Sequence, residues 1–166
     1  ENLVSIGSFG VLSLWGSRPD DVWAVGENAT IVHYDGLVWS PASLLPSNRA
    51  ILNVVWGTGS ADVWAGGLTA SRSPLMLHFD GTSWATADLS QIRGGEVYAI
   101  WGAAPDEVWA LQKNGILAHW DGKAWGIFPM ITSWTYPRAI WGTGPEELRI
   151  IGTNDGQDAF ILRYGN

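Results

Sequence analysis

Short apolar runs alternate with Gly, Pro, Asn and Asp along the whole chain. In the segment that begins at Val11 the runs read VLSLWG, DVWAVG, TIVHYDG and LVWSPA, and they are rich in β-branched and aromatic residues. Runs of this kind, bounded by turn residues, are typical of β-strands. A helix needs apolar positions three and four apart over roughly ten residues or more, and Gly or Pro interrupts every such pattern here. The sequence therefore predicts an all-β chain.

The unit of four runs returns three more times. Its Trp-Gly pairs start at Trp15, Trp56, Trp101 and Trp141, with spacings of 41, 45 and 40 residues. A period of about 40 to 50 residues with four strands per unit is that of a β-propeller blade. We therefore predict a single β-propeller unit over residues 1–166, built from four four-stranded blades. The repeats lie at about 11–45, 52–90, 97–130, and 137–166 together with 1–9.

A tight turn is predicted between the third and fourth strands of each unit. An Asp-Gly dipeptide stands there in the first three units, and Gly tolerates the positive φ that a tight hairpin needs. A Trp follows each Asp by four residues, which indicates one large packed ring on every outer strand. The residues are Asp35-Gly36 with Trp39, Asp80-Gly81 with Trp84, and Asp121-Gly122 with Trp125.

The fourth unit ends at ILRYGN, where its own hairpin turn should lie, and so lacks an outer strand. The N-terminal segment ENLVSIGS aligns with the outer-strand segment LVWSPAS of the first unit. We therefore predict that the N-terminus supplies this strand, with Asn2 to Ser5 pairing on the last blade. The spacing from Trp141 around to Trp15 is 40 residues and fits within one chain or between two. A four-bladed monomer and a homodimer with an eight-bladed ring both remain open.

Composition narrows the function classes. The formal net charge is −7 and the nine Lys and Arg form no cluster, so we expect no nucleic-acid partner and no anionic membrane partner. The chain has no cysteine, which excludes disulfides and thiolate chemistry. It has no apolar run of the roughly 18 residues that a spanning helix needs. Twelve Trp in 166 residues instead indicate an aromatic core or binding face.

The string DVWAVGENATIVHYDGLVW resembles the repeats of bacterial secreted and surface β-propellers, and more loosely those of the BNR/Asp-box and Ycf48-like propellers. The resemblance covers the whole chain. It implies a secreted or cell-surface location. The Asp-box pattern has a Ser or Thr two residues before the Asp, whereas His33, His78 and His119 stand here. The resemblance therefore transfers no sialidase chemistry.

Acidic residues recur in the turn between the first two strands, as Asp20-Asp21, Asp62, Asp106-Glu107 and Glu146-Glu147. We expect them to accept backbone N–H bonds in that turn. A feature present in every repeat is typical of a folding signal, whereas a catalytic pair is singular. The three repeated His residues are expected in half-buried cross-strand positions rather than around a metal ion, because equivalent positions of neighbouring blades are too far apart. We expect no catalytic residues, metal or cofactor.

Residues that differ between the repeats are the candidates for a functional site. In a propeller, the loops between second and third strands share one face with the loops between blades, and these loops vary in this chain. Variable loops on a regular scaffold commonly carry binding residues. We predict a non-catalytic binding module for a glycan or protein ligand. The predicted ligand-binding residues are Asn53, Tyr98 and Arg138, three residues before a Trp-Gly, with Trp134, Tyr136 and Arg72 from the loops.

Two alternatives stay open. The first is a structural or assembly unit, or a fragment of a larger repeat protein. The second is a glycosidase-type hydrolase, which needs two carboxylates roughly 5 to 10 Å apart. The carboxylates available on the variable face come from different loops, which disfavours the hydrolase: Glu27, Asp88, Glu96, Asp155 and Asp158.

Overall fold

Four antiparallel sheets follow one another along the chain. The computed structural model describes residues 10–42, 49–128, 136–144, 147–154 and 158–164, and these residues form 15 β-strands and no helix. Within each sheet the strands pair in chain order. The predicted all-β propeller is confirmed. The described residues contain no apolar helix long enough to cross a membrane.

Three of the sheets have four described strands and the last has three. The first blade comprises β1 (Val11–Arg18), β2 (Asp21–Gly26), β3 (Ile31–Tyr34) and β4 (Trp39–Pro41), and the second β5 (Ile51–Gly59), β6 (Asp62–Leu68), β7 (Pro74–Phe79) and β8 (Trp84–Thr86). The third comprises β9 (Val97–Ala104), β10 (Glu107–Gln112), β11 (Leu117–Trp120) and β12 (Trp125–Phe128), and the fourth β13 (Tyr136–Gly144), β14 (Glu147–Asn154) and β15 (Asp158–Tyr164). The outer strand predicted at Asn2 to Ser5 lies outside the described residues.

The Asp-Gly turns between third and fourth strands form as predicted. Gly36, Gly81 and Gly122 have φ of +93°, +91° and +84°, a conformation that only Gly adopts without strain. Asp35 holds the first turn, because its Oδ1 accepts the backbone N–H groups of Leu37 and Val38, both at 2.9 Å. The same two bonds recur at Asp80 and Asp121. The repeated dipeptide therefore sets the same hairpin in three blades.

The core lies between blades rather than within one sheet. One buried cluster, which includes Val25, Leu52 and Leu77, joins the first two blades. A second, which includes Trp64 and Val108, joins blades two and three, and a third around Leu111 joins blades three and four. A sheet in this fold buries apolar residues on both faces, which explains why the second strands read as nearly continuous apolar runs.

The Trp-Gly pairs form the contact between successive inner strands. A Cβ added at Gly57 would meet Cη2 of Trp15 at 2.7 Å, so the indole of one blade lies directly over the glycine of the next. The contact recurs between Trp56 and Gly102 and between Trp101 and Gly142. The two residues of each pair are thus needed for opposite neighbours, the Trp for the following blade and the Gly for the preceding one.

The Trp residues of the four pairs are not buried alike, although they occupy equivalent repeat positions. Trp15, Trp56 and Trp101 are half-buried, whereas Trp141 is 54% exposed. The reason is geometric, since each of the first three rings is covered by the blade that follows it. No described blade follows the fourth.

Candidate functional site

The two ends of the sheets carry different loops. One cleft is lined by Ser60 and Ala61 from the turn between β5 and β6, together with Asp80 and Gly122 from the turns between third and fourth strands. Another is lined by Arg72 from the loop between β6 and β7 and by Leu89 from the connection between blades. The loop between β6 and β7 thus shares one face with the connection between blades two and three, as the sequence predicts, and we call this the variable face.

A cavity of about 480 Å³ opens on the variable face, between β7 of blade two and the connection that leads from β8 to blade three. Its floor is apolar, formed by the buried side chains of Leu75, Met76 and Ile92. Its rim is polar and exposed, with Arg72 and Arg93 among its lining residues. We call this cavity the variable-face cleft.

The loop that presents Arg72 is held by its own hydrogen bonds. Thr69 and Ser73 close it, because the Thr69 N–H donates to the Ser73 carbonyl at 2.9 Å and the Ser73 N–H donates to Thr69 Oγ1 at 3.1 Å. Arg72 has a φ of +64° and donates its N–H to the Thr69 carbonyl at 2.9 Å. A non-Gly residue in this region of φ is uncommon. The Arg72 side chain in this turn is exposed.

The opposite wall is a compact turn in the connection between blades. Asp88 Oδ1 accepts the N–H of Ser90 at 2.8 Å, and the N–H of Ile92 donates to the Leu89 carbonyl at 2.8 Å. The bond from Ser90 holds the pKa of Asp88 below its usual value. The cleft therefore presents a carboxylate as well as two guanidinium groups.

Gly94 fixes this connection against the third blade. Its φ is +147°, and a Cβ there would lie 2.5 Å from Oε1 of the buried Gln112. The Lys113 N–H also donates to the Glu96 carbonyl at 3.0 Å. Only a glycine allows the connection to approach the loop between β10 and β11 so closely.

The residues predicted to bind ligand are not all in one place. Arg72 lines the variable-face cleft. Asn53 and Tyr98 join inner strands of neighbouring blades, because Asn53 Nδ2 donates to the Val97 carbonyl at 3.0 Å and the Tyr98 hydroxyl donates to the Pro137 carbonyl. Arg138 is exposed on β13. Tyr136 begins the same strand, and Trp134 lies outside the described residues.

Tyr98 is a neutral donor under ordinary conditions. Burial raises the pKa of its hydroxyl well above the usual value, and the charge of Arg138 offsets only part of that effect. The phenol is therefore suited to a permanent hydrogen bond across the blades rather than to proton transfer near neutral pH.

The repeated acidic residues have a different role from the one predicted. The sequence predicts that they accept backbone N–H bonds, but Asp62 Oδ2 accepts from Thr58 Oγ1 at 2.5 Å and Oδ1 lies 2.6 Å from His78 Nε2. In the first blade Asp21 accepts from Ser17 and lies 2.6 Å from His33 Nε2. The carboxylate thus joins three strands of one sheet through side chains, which the turn itself does not require.

The imidazoles of these networks also stack on the Trp of the second strand. The ring centroids are 4.2 Å apart for Trp23 and His33, and 4.0 Å apart for Trp64 and His78. In the third blade His119 stacks on Trp109 at 4.1 Å, with Glu107 Oε1 3.0 Å from its Nε2. The His residues are half-buried cross-strand residues, as predicted.

The hydroxyl, carboxylate and imidazole do not form a nucleophile with its base. In a serine nucleophile the imidazole contacts the hydroxyl, and the carboxylate contacts the other ring nitrogen. Here both Ser17 and His33 contact the carboxylate of Asp21, so the ring is not placed to take the hydroxyl proton. Sequence reasoning missed this network, although its signal was present as a Ser or Thr four residues before the acid at Ser17, Thr58 and Thr143.

A smaller cavity of about 280 Å³ lies between the outer strands of blades two and three. Its lining includes the rings of Trp64, Trp120 and Trp125, with Gln91 and Lys123 at exposed positions. Trp120 is half-buried and its indole N–H donates to the Pro105 carbonyl at 3.1 Å. We call this cavity the aromatic pocket.

Of the five carboxylates considered for a hydrolase, Asp88 lines both cavities. Glu96 lies 3.4 Å from Lys113 Nζ as an ion pair. Asp155 lies outside the described residues. Among the residues that the structure describes, no group of three His, Asp or Glu side chains is placed to hold a metal ion.

Solved propellers resemble this chain in fold. A structure of Ycf48 bound to a D1 peptide aligns with a TM-score of 0.65 at 22% identity, covering 90% of this chain and 52% of that chain. The computationally designed Ika4 protein aligns with a TM-score of 0.68 at 13% identity, covering 99% of both chains. The Aleuria aurantia lectin with alpha-methyl-L-fucoside aligns with a TM-score of 0.57 at 13% identity, covering 93% of this chain and 63% of that chain.

The chain therefore spans about half the length of the Ycf48 chain. No family model matches its sequence, and no curated protein matches it. The likeness is one of fold alone.

Proposed function

We propose that the chain is a non-catalytic binding module whose variable-face cleft takes a peptide segment of another protein. The observation that carries this proposal is the composition of the cleft, with a buried apolar floor at Leu75, Met76 and Ile92 beneath the exposed guanidinium groups of Arg72 and Arg93. An apolar depression with a few polar groups at its rim is the usual form of a binding site.

The chemistry of the rim favours a particular kind of peptide. Arg side chains bind carboxylates through paired, charge-assisted hydrogen bonds. The two arginines stand out against a chain whose formal net charge is −7. We therefore propose a segment with an apolar side chain for the floor and a neighbouring carboxylate for Arg72 or Arg93. The carboxylate of Asp88 disfavours a segment that is acidic throughout.

The solved structures support the capacity of this fold for such a ligand. Ycf48, whose fold this chain shares, has been solved with a peptide bound. The cleft described above is the place where this chain offers loops that differ from blade to blade, and Arg72 is the predicted site residue that lies there.

The proposal is tested with a displayed peptide library, selected on the purified chain. Peptides that bind are then measured with the double variant Arg72→Ala/Arg93→Ala. Loss of a charge-assisted hydrogen bond costs about 1.5–3 kcal/mol, so we expect affinity to fall at least about tenfold. Arg18→Ala is the matched control, because Arg18 is an exposed arginine at the end of β1 and does not line the variable-face cleft.

Selected peptides should carry Asp, Glu or a free C-terminus beside an apolar residue. If the double variant binds them as tightly as the unchanged chain while its circular dichroism is unaltered, the cleft is not the site. Equal losses in the Arg18→Ala variant would indicate a general charge effect and contradict the assignment as well.

A glycan ligand is the second candidate, and the aromatic pocket favours it. The partly exposed ring of Trp120 offers a face for the apolar side of a sugar, whereas Trp64 and Trp125 are buried behind it. The amide of Gln91 and the ammonium group of Lys123 are donors for sugar hydroxyls. A lectin of the same fold has been solved with a fucoside. The test is a glycan array with the unchanged chain and the variant Gln91→Ala/Lys123→Ala. Sugar binding that is lost in this variant and kept in Arg72→Ala/Arg93→Ala would favour the glycan over the peptide.

A further inference from the structure

The Trp-Gly contact between successive blades forms three times among the described residues, but Trp141 and Gly16 do not take part in one. Gly57, Gly102 and Gly142 are buried beneath the Trp of the preceding blade. The aligned glycine of the first blade, Gly16, is exposed, and its nearest atoms belong to Asp21, Val22 and Arg18 of its own blade. At the other end of the chain Trp141 is 54% exposed.

The neighbouring residue on β1 shows the same unmade contact. Leu14 stands directly before a Trp-Gly pair and is 64% exposed. Its equivalents in the next three blades, Val55, Ile100 and Ile140, are all buried. Together with Val11 and Leu12, which are also exposed, Leu14 and Gly16 form what we call the blade-1 end face.

The last blade shows the complementary pattern. Ile161 on β15 is 74% exposed, whereas its equivalents Ile31, Met76 and Leu117 are fully buried. Ile151 on β14 is also exposed. Trp141, Ile151 and Ile161 form what we call the blade-4 end face. The residues buried at every internal contact are therefore exposed at both ends of the array.

A hydrogen bond between inner strands shows the same pattern, because it forms at two repeat positions and Arg138 stands exposed at the third. Asn53 donates to the carbonyl of Val97, and Tyr98 donates to that of Pro137. Arg138 occupies the equivalent position on β13 and is exposed. Val11 occupies the position of Val97 and Pro137 on β1. A guanidinium at this position is able to donate to the carbonyl of a Val11 that is brought beside it.

We infer that the blade-4 end face docks on the blade-1 end face of a second copy of this chain, so that two copies close an eight-bladed ring with two-fold symmetry. The partner is identified as a second copy because β1 carries the same residues that cover each Trp ring within the chain. The surface that covers Trp15, Trp56 and Trp101 is a glycine with a branched aliphatic residue two positions before it, and β1 presents Leu14 and Gly16 in that arrangement.

The four blades of one chain do not close into a ring. Closure would bury the residues of both end faces against each other, whereas Leu14, Gly16, Trp141 and Ile161 are all exposed. A head-to-tail contact gives a closed ring when the rotation closes and a filament when it does not. Two copies satisfy both end faces of each chain and leave neither exposed. Large apolar patches of this kind mark protein interfaces.

The inference is tested on the 166-residue chain by light scattering over a dilution series. We expect a mass twice the 18.0 kDa of one chain. Ile161→Glu should halve that mass, and Ile127→Glu should not. The pair is matched, because Ile127 is also an isoleucine on a strand near the sheet edge and is 52% exposed, but it lies on β12, away from both end faces.

A second pair tests the other end. Leu14→Glu should halve the mass, whereas Leu37→Glu, in the exposed turn before β4, should leave it unchanged. Circular dichroism and a cooperative melt establish that each variant folds, and a failure of one end-face variant to fold leaves the other to decide. A mass of 18.0 kDa at all concentrations, a ladder of larger species, or equal effects of the matched control variants would overturn the inference.

Discussion

The imidazole Nε2 of His33 lies 2.6 Å from Oδ1 of Asp21, and the same distance separates His78 from Asp62 in the next blade. Each carboxylate also accepts from a hydroxyl on the first strand, Ser17 or Thr58. The network joins the first, second and third strands of blades one and two through side chains; the third blade keeps the contact of Glu107 with His119 but has Ala103 in place of the hydroxyl residue. Its presence in two blades indicates a structural role, and its contribution to the free energy of unfolding can be measured by substitution.

Asp21→Asn should destabilise the fold. The amide keeps the shape of the carboxylate but weakens the bonds from Ser17 and His33, and a buried polar group left without a good partner costs about 1–3 kcal/mol. Asp20→Asn is the matched control, since Asp20 is the preceding residue and pairs only with exposed Arg18 among the contacts described. Urea unfolding measures both variants. Equal effects of the two substitutions would mean that the network adds nothing beyond the charge of the turn.

Low pH should decrease the stability of the folded state. Burial opposes ionisation of Asp21 and Asp62, but the hydrogen bonds from Ser17, Thr58 and the imidazoles outweigh it and hold the pKa of both carboxyls below the usual value. A lowered pKa in the folded state contributes stability that is present above the unfolded-state pKa of about 3.9 and is lost as pH falls through the folded-state pKa.

The melting temperature should therefore fall as pH decreases below about 4. The variant Asp21→Asn/Asp62→Asn should show a shallower fall, which thermal melts at a series of pH values measure. A remaining slope is expected from Asp35, Asp80 and Asp121, whose pKa values the backbone N–H groups of the hairpin turns hold low. The prediction fails if the double variant and the unchanged chain have parallel pH profiles.

Gly57→Ala should destabilise the chain by roughly 1–3 kcal/mol, the usual cost of overpacking. The added Cβ would meet the Asp62 carbonyl oxygen at 2.6 Å and the Trp15 ring at 2.7 Å, and the first of these is backbone that moves little. Gly59→Ala, two residues along the same strand, meets nothing within 4 Å and serves as the control. Denaturant unfolding should separate the two, and indistinguishable midpoints would show that the Trp-Gly contact is loosely packed.

Tyr98→Phe should cost about 0.5–1.5 kcal/mol, because it removes the hydrogen bond to Pro137 without opening a cavity. The raised pKa of Tyr98 also has a consequence in base. The phenol ionises more readily in the unfolded chain, where the pKa of a tyrosine is about 10, so the folded state loses stability as pH rises above that value. The Tyr98→Phe variant should lose less stability between neutral and alkaline pH, as followed by chemical denaturation.

The same position tests the predicted inner-strand ligand contacts. Tyr98→Ala/Arg138→Ala should abolish ligand binding with the fold intact if these side chains touch the ligand, whereas Tyr98→Phe should retain it. Circular dichroism and binding to selected peptides and glycans give the two measurements. Loss of the fold in the double variant would show that the contact of Tyr98 between blades is required for folding, and intact binding would locate the ligand elsewhere.

Much of the candidate site depended on information that the sequence does not carry. Asn53 and Tyr98 are predicted from their dissimilarity at one repeat position, but a repeat alignment does not tell whether a side chain on an inner strand turns toward the channel or toward the next blade. The structure shows the second, because carbonyl groups of the next inner strand lie within hydrogen-bonding reach. Arg72 is found from the sequence because it stands in an irregular loop, and irregular loops lie at the surface.

The sequence by itself determined the strands, the four units and the hairpins. These features depend on residues that are close in the sequence or that recur at a fixed period. Examples are the strand alternation, the positive φ at Gly36, Gly81 and Gly122, and the repeated Trp-Gly pairs. Only the tertiary structure decided which blade covers which. Whether Trp141 and Leu14 are core or surface depends on a neighbouring blade rather than on their own strands, since burial is a property of the contact between two sheets.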